Sequence, residues 1–420
     1  MKKVLIILIL VSNIFLNAKE VDKSRERLHS VRKAVDTIGK LETKEVSSVD
    51  SLNHVFKDAK VTGQIRLMYD GYNQKERSVE DNYATAIGGI LRYELAEFNG
   101  FNAGVALYTV HDINSLSGET LHHNSELSSS KGSYTQLGES YINYTYKDFN
   151  FRVGRQVLNT PLADSDDIRI IQNTFNAYVA TYNYQGFEFM AGNAKSWQGY
   201  DAGLDDKWVN IGNNGMNFVG VSYNDVWEFN IWYYNFTQNS NALYFDGGIQ
   251  YQINKDMLVH TVVQYLNEKE LDKSGYDANI YGGSFEFVID GLGLNIAYDK
   301  SDRKVGKQSF SGNGGGTLFT SMDTMILDNI AQDREADALV AGLAYDYGDY
   351  NFLYAYGDFS GDSNTLGKKA HIIEQDISIE YNFNDKFLIS ATYVMCEDKE
   401  NSAKTEYDWN RTQLMINYNF

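Results

Sequence analysis

The densest concentration of groups able to act on a charged solute lies in residues 154–176. Gly154-Arg155-Gln156 is followed by Thr160-Pro161-Leu162-Ala163-Asp164-Ser165-Asp166-Asp167-Ile168-Arg169, and then by Asn173-Thr174-Phe175. Asp164, Asp166 and Asp167 place three carboxylates within four positions, beside Arg169 and the chain's single proline, Pro161. Fixed charges of both signs set across a narrow passage create a transverse field that screens ions. On an exposed loop the same run is only a solvated acidic turn. Bond-making chemistry has less to work with. His122-His123 offers two imidazoles in a polar segment and reads as exposed. Gly312-Asn313-Gly314-Gly315-Gly316 lacks the Lys-Ser/Thr ending of a phosphate loop and reads as a flexible loop. The one cysteine, Cys396, excludes a disulfide framework and a Cys-based zinc site. Acidic loops allow at most weak calcium binding, since no twelve-residue hand with a closing Glu is present. No nucleophile–base spacing stands out, so neither an enzyme nor a cofactor is expected.

The elements that must position these charges are strands. Val61, Gly63, Ile65, Leu67 and Tyr69 alternate with Thr62, Gln64, Arg66 and Asp70, and the same period of two recurs to the end of the chain. Trp227, Phe229, Ile231 and Tyr233 form one such face, Leu292, Leu294, Ile296 and Tyr298 another, and Ile377, Ile379, Tyr381 and Phe383 a third. The segments predict about eighteen strands. Short turn signals such as Lys147-Asp148, Gln185-Gly186, Asp290-Gly291 and Gly348-Asp349 alternate with long polar loops near 112–133, 158–173, 196–216 and 300–336. A soluble sandwich has no reason to sort its connections in this way, whereas a transmembrane barrel does. One proline, 31 tyrosines and 22 phenylalanines suit long ladders in which every N–H is needed. A net charge of −19 argues against nucleic acid as a partner and for an exposed surface or channel that favours cations.

The ends agree with this reading. Lys2-Lys3, an apolar run through Leu16 and a small Ala18 predict a secretory signal peptide over residues 1–18. Residues 19–58 are charged and compatible with a short periplasmic helical or coil extension: Leu28, Val31, Val35 and Ile38 recur at helical spacing, and Val49, Leu52 and Phe56 continue the register. The barrel is expected over residues 59–420. Its last strand carries Leu414, Ile416, Tyr418 and Phe420 on one face, an alternation with a terminal Phe that resembles the assembly signal of outer-membrane barrels.

The stretch GRQ…TPLADSDDIR…NTF resembles the third-loop region of the OprD family of outer-membrane porins, most specifically over residues 154–176 and more weakly, in strand pattern, from residue 59 to the end. The resemblance implies an all-β, transmembrane antiparallel barrel of eighteen strands. It also implies a third long loop folded inward to narrow the pore, which assigns Asp164, Asp166, Asp167 and Arg169 to the constriction. Basic residues along the pore wall are a further implication. The candidates are Arg66, Arg92, Arg152, Arg155 and Arg411, with Arg155 at outward parity unless it sits at the rim. The expected function is a general diffusion channel for small hydrophilic solutes and ions, mildly cation-selective and located in the outer membrane. A substrate-selective channel of the same fold, a barrel enzyme and an adhesin are the alternatives. Expected partners are outer-membrane lipids and lipopolysaccharide, the barrel assembly machinery, the solutes themselves and further copies in a homotrimer.

Overall fold

Alternation of apolar and polar residues becomes strand after strand in the computed structural model, which describes residues 47–76, 78–128, 132–203, 207–401 and 405–420. Among these, eighteen antiparallel strands form the wall. They are β1 (Lys60–Gln74), β2 (Asn82–Glu94), β3 (Phe101–Asp112), β4 (Ser133–Tyr146), β5 (Phe149–Gln156), β6 (Thr174–Tyr184), β7 (Phe187–Gln198), β8 (Met216–Asn224) and β9 (Trp227–Phe236). The second half comprises β10 (Ser240–Asn254), β11 (Met257–Glu270), β12 (Ala278–Ile289), β13 (Leu292–Ser301), β14 (Ala336–Tyr347), β15 (Tyr350–Gly361), β16 (Ala370–Asn384), β17 (Phe387–Asp398) and β18 (Trp409–Asn419). Each strand pairs with its neighbours in sequence, and β18 pairs back onto β1 from Gln64↔Asn419 to Gln74↔Trp409. The sheet is therefore closed and leaves no edge.

Local chemistry explains the sorting of the connections. At one end the turns are tight. Gln185-Gly186 and Asp290-Gly291 hold both corner residues at positive φ (50° and 85°, 48° and 80°), which matches the right-handed twist of a hairpin. The long loops all leave from the other end. The outward face is apolar, with Ile65, Ile142, Val219, Ile296 and Leu414 among its exposed residues. Near the tight turns it carries stacked aromatic pairs, including Tyr182–Tyr184, Tyr345–Tyr347, Tyr350–Phe352 and Tyr418–Phe420. An apolar belt edged by aromatics is what a barrel presents to lipid and its interface.

The extension is only partly described: residues 1–46, including the expected signal peptide, lie outside the described residues. Residues 47–58 contain one helix, α1 (Leu52–Lys57), held beneath the β2–β3 connection. Val49 N–H donates to Glu97 O at 2.9 Å, and Ala96 N–H to Val55 O at 3.1 Å. The sequence register through Val49, Leu52 and Phe56 does not become a packed face: Val55 is buried, while Leu52 and Phe56 are each 67% exposed. Docking here runs through backbone bonds, which a side-chain period does not report.

The last residue completes the closure. Phe420 N–H donates to Gly63 O at 3.0 Å, and Gly63 N–H donates to Phe420 O at 3.1 Å. A Cβ on Gly63 would lie 2.6 Å from the Phe420 ring, so the glycine leaves the space in which the terminal ring rests. Deleting Phe420 removes both hydrogen bonds at the seam, and an unpaired backbone group in lipid costs several kcal/mol. The deletion is expected to lower the heat-modifiable, membrane-assembled form markedly; assembly at the native level in a gel-shift assay would refute this.

Candidate pore constriction

The closing seam assembles the charged site. On β1, Arg66, Asp70 and Tyr72 share the inward face. On β18, Arg411, Gln413 and Asn417 do the same, in register with Tyr72, Asp70 and Arg66 respectively. Arg411 sits diagonally from Asp70 and grips it with two bonds, Nε to Oδ1 at 2.9 Å and Nη2 to Oδ2 at 2.6 Å. Its remaining donors reach two loops. Nη1 donates to Asp323 Oδ2 at 2.9 Å in the β13–β14 loop, and Nη2 to Glu126 Oε2 at 2.6 Å in the β3–β4 loop. Arg66 takes the third loop. It binds Asp167 through Nη1 at 2.5 Å and Nη2 at 3.0 Å, donates to Arg169 O at 2.5 Å, and fixes Asn417 through Nε at 2.9 Å. Arg169 in turn donates to Glu126 Oε2 at 3.3 Å and lies 4.8 Å from the Tyr200 ring centroid. With its oxygen turned toward the guanidiniums, the Gln413 amide accepts from Arg411 at 2.6 Å and from Arg169 at 3.1 Å. Three arginines thus meet four carboxylates, a formal sum of −1, and tie three separate loops to one seam.

Glu126 is the shared acceptor. Burial would raise its pKa, but Arg411 and Arg169, with the Tyr72 and Tyr200 hydroxyls, pull it down instead to about 2. The sequence reading missed Asp70, Glu126, Asp323, Tyr72 and Tyr200. Single acids in an acid-rich chain carry no spacing signal.

The third loop itself begins as a two-residue hairpin. Asn159 pairs with Asp164 and Thr160 with Ala163, with Pro161-Leu162 at the corner, where proline's fixed φ suits a turn. Asp164 Oδ1 accepts from Asp166 N–H at 2.9 Å, which holds Asp166 in a left-handed conformation at φ 42°. Ile168, Ile170 and Ile171 then bury against the wall. A Cβ on Gly88 of β2 would lie 2.6 Å from Ile170 Cγ2, so this glycine is the socket that admits the loop.

Three sequence expectations need correction. Opposed charges were expected across an open gap, but Arg66 and Asp167 are in contact, so this pair is neutralised where it stands. Arg155 does not line the pore. It shares the outward face of β5 with Phe151 and Val153, and its guanidinium lies 4.6 Å from the Trp208 ring centroid. Of the other wall candidates, Arg92 pairs with Glu139, which also accepts from Tyr108 at 2.7 Å. Arg152 donates to Asn143 at 3.1 Å and stacks 4.3 Å from the Tyr141 ring centroid.

The third correction concerns residues 300–336, read as a polar outer loop with a flexible glycine run. The segment folds into the lumen, burying Leu318, Met322, Met325, Leu327 and Ile330. Its glycine run packs on the third loop: Asp164 N–H donates to Asn313 O at 3.1 Å and Asn313 N–H to Leu162 O at 3.0 Å. A Cβ on Gly312 would lie 2.9 Å from Leu162 Cα. Met322 enters a second socket, filling the space a side chain on Gly357 of β15 would need. The apolar residues within Thr317–Ala331 were the available signal. His122 and His123 diverge, the first meeting Asp81 O at 2.8 Å and the second Ser128 at 3.3 Å. No group of three or more His, Cys, Asp or Glu side chains placed to hold a metal occurs among the described residues.

Replacing Arg411 by Gln leaves Asp70, Glu126 and Asp323 without their common cation, and breaking a buried pair of this kind costs about 3–5 kcal/mol. The expected result is a barrel that still assembles, with faster protease cleavage in the β3–β4 and β13–β14 loops and a higher single-channel conductance. The Glu126 contribution has a defined pH window. Its folded value lies below the usual 4.5, so the contribution is complete above about pH 4.5 and is lost as pH falls toward 2. Loop cleavage rates measured from pH 7 to pH 3 should therefore be flat before they rise; a rise already at pH 6 would count against this assignment.

No protein-family model and no curated protein matches the sequence. Solved structures match the fold. OpdK of Pseudomonas aeruginosa, solved with vanillate, gives a TM-score of 0.73 at 15% identity over 87% of this chain and 99% of its own. OccAB3 of Acinetobacter baumannii gives 0.74 at 13% identity, and OccK9 (OpdG) of Pseudomonas aeruginosa 0.72 at 13%, with the same shares covered. At such identities the likeness concerns architecture, and the chain has the closed eighteen-stranded antiparallel barrel fold of these proteins.

Proposed function

We propose that the chain is a porin of a Gram-negative outer membrane, a water-filled channel for passive diffusion of small hydrophilic solutes and ions, with no chemistry of its own. The observation that carries this reading is the closed barrel whose outward face is apolar and edged by aromatics while its inward face is polar. In hydrocarbon only a closed sheet satisfies every strand N–H and C=O. The fold shared with OpdK, described as an outer membrane protein, supports it. In this setting residues 1–18 serve secretion. The terminal Leu414, Ile416, Tyr418 and Phe420 face engages the barrel assembly machinery, the tight turns point to the periplasm, and the barrel sits as a monomer or homotrimer among outer-membrane lipids.

Cation selectivity is the finer part of the proposal. The chain carries −19, and the seam cluster sums to −1, so the passage near the third loop keeps an acidic excess. A second reading, a substrate-selective channel, is favoured by one feature. Arg66, Arg169 and Arg411 each already contact a protein carboxylate, whereas Arg152 has no carboxylate partner among the described residues and is left to meet an anionic solute from the periplasmic side.

Planar-bilayer recording tests both. The native channel is expected to prefer potassium over chloride, and the preference should fall in a variant with Asn at 164, 166 and 167. It should also weaken as the Debye length drops from about 10 Å at 0.1 M salt to about 3 Å at 1 M. An anion-selective native channel would overturn the cation reading. Hydrolytic activity without conductance would overturn the channel.

A further inference from the structure

The outward face is apolar over most of its height, but at the long-loop rim it carries polar sectors, of which the one on β5–β10 is rich in amides. Asn193 of β7, Asn217 of β8, Asn235 of β9 and Asn241 of β10 are direct cross-strand partners on this face, next to Val219, Tyr233 and Leu243. Their amides form a chain: Asn193 Nδ2 donates to Asn217 Oδ1 at 2.8 Å, Asn217 to Asn235 at 3.5 Å, and Asn235 to Asn241 at 2.7 Å. The row repeats at the inter-strand step of about 4.8 Å; Asn193 is buried, whereas Asn217 is exposed, Asn235 and Asn241 are half-buried, and these three keep hydrogen-bonding capacity beyond the chain. Cations flank it. Arg155 lies against the Trp208 ring, donates to Leu137 O at 3.0 Å and has no carboxylate partner among the described residues. Lys195, the extra residue of the β7 bulge, is exposed and donates to Asn214 O at 2.9 Å. Lys207, next to Trp208, is exposed as well, but it directly follows Asp205-Asp206 in the sequence and adds no net positive charge, so Arg155 and Lys195 carry the basic character. Arg155, Lys195, an indole and three accessible amides share this outward sector in a chain of net charge −19.

We infer that this sector is a docking surface for the phosphorylated sugar headgroup of an outer-leaflet glycolipid. The inference rests on the outer-membrane reading above. Phosphate oxygens suit Arg155 and Lys195, sugar hydroxyls suit a row of carboxamides, and Trp208 marks the depth of the interface. Charge complementarity selects this occupant over a second copy of the chain. The acidic counterpart on the barrel, Glu335, Asp337, Asp362 and Glu400 with Asp358 nearby, lies around the rim of β14–β16, half a circumference from β5–β7. Pairing opposite sides of a cylinder propagates a line of copies and cannot close a ring. Pairing the basic sector with itself sets like charges together.

The experiment titrates the purified full chain in detergent with diphosphoryl lipid A and with the same lipid dephosphorylated, reading bound lipid by native mass spectrometry. The phosphorylated form should bind more tightly. Each lost cation near a headgroup weakens attraction about fivefold, so the double variant Arg155→Ala, Lys195→Ala should bind diphosphoryl lipid A roughly 25-fold more weakly. A variant with Asn217→Leu and Asn235→Leu should weaken both lipids. Equal binding of the two lipids, an unchanged double variant, or dissociation of oligomers by that variant with lipid binding intact would each overturn the inference. Bilayer insertion and conductance are measured on the same samples. A chain that neither inserts nor conducts defeats the membrane reading, whereas one that conducts without preferring phosphorylated lipid defeats only this inference.

Discussion

Everything inside this barrel depends on β18 closing against β1. Lipid forbids an open edge, because no water is there to satisfy the exposed N–H and C=O groups. Closure answers that constraint and also makes the site. Arg411 and Asp70 are 341 positions apart in sequence, and Arg66 and Asn417 are 351 apart; only the seam makes them neighbours. The seam is also the last pairing available to a chain that folds hairpin by hairpin. A constriction fastened there cannot be completed before the barrel is. The loops that hang from Arg66 and Arg411 therefore report that closure has happened, and the rim's geometry is subordinate to the terminal strand.

The loops that enter the lumen face the problem of any irregular backbone removed from water: its amides need acceptors. The wall supplies them as carboxylates. Asp299 accepts from Thr320 N–H at 2.9 Å, Asp376 from Asp323 N–H at 3.1 Å, and Glu374 from Thr324 and Met325 N–H at 3.0 and 3.1 Å. Glu268 takes Phe310 N–H at 2.8 Å. Each acid faces inward by strand parity and meets the loop where no regular ladder continues. Gly88 and Gly357 complement them, opening the wall where Ile170 and Met322 dock. Acids satisfy the loop backbone while glycine sockets take its apolar side chains.

Strand faces were legible because a period of two is a local property and lipid enforces it on every strand. The same parity reads Arg66, Arg152 and Arg411 as inward, and it also points Arg155 outward, against the pore-wall assignment that the family resemblance suggested. Contacts between loops were not legible. Glu126 and Asp323 are single acids in polar stretches, and nothing near either residue announces Arg411. The inward β13–β14 loop left a partial trace. Leu318, Phe319, Met322, Met325, Leu327 and Ile330 are too many apolar residues for a solvated loop; Leu318, Met322 and Met325 even fall at i, i+4 and i+7, a helical spacing that the folded loop does not use, and a search for strand alternation passes over them. The glycines at 312–316 misled in the opposite direction: a composition that usually means freedom here permits close backbone approach to Leu162 and Asp164.

This division of labour changes what the net charge of −19 means. Read from composition, an acidic excess is a field that gathers cations. In the folded barrel, part of it is consumed as hydrogen-bond acceptance by loop amides, and part is cancelled by contact with Arg66, Arg169 and Arg411. A carboxylate already bonded to several donors polarises a passing ion less than one held by water alone, since its lone pairs are directed into the protein. What remains to act on solutes is the difference between four acids and three arginines at the seam, together with the exposed acids of the rim. In the channel proposed above, selectivity built on so small a residue of charge would be mild and salt-sensitive. Sharper discrimination in that channel would rest on the shape left between three fastened loops, and so on the fastening itself.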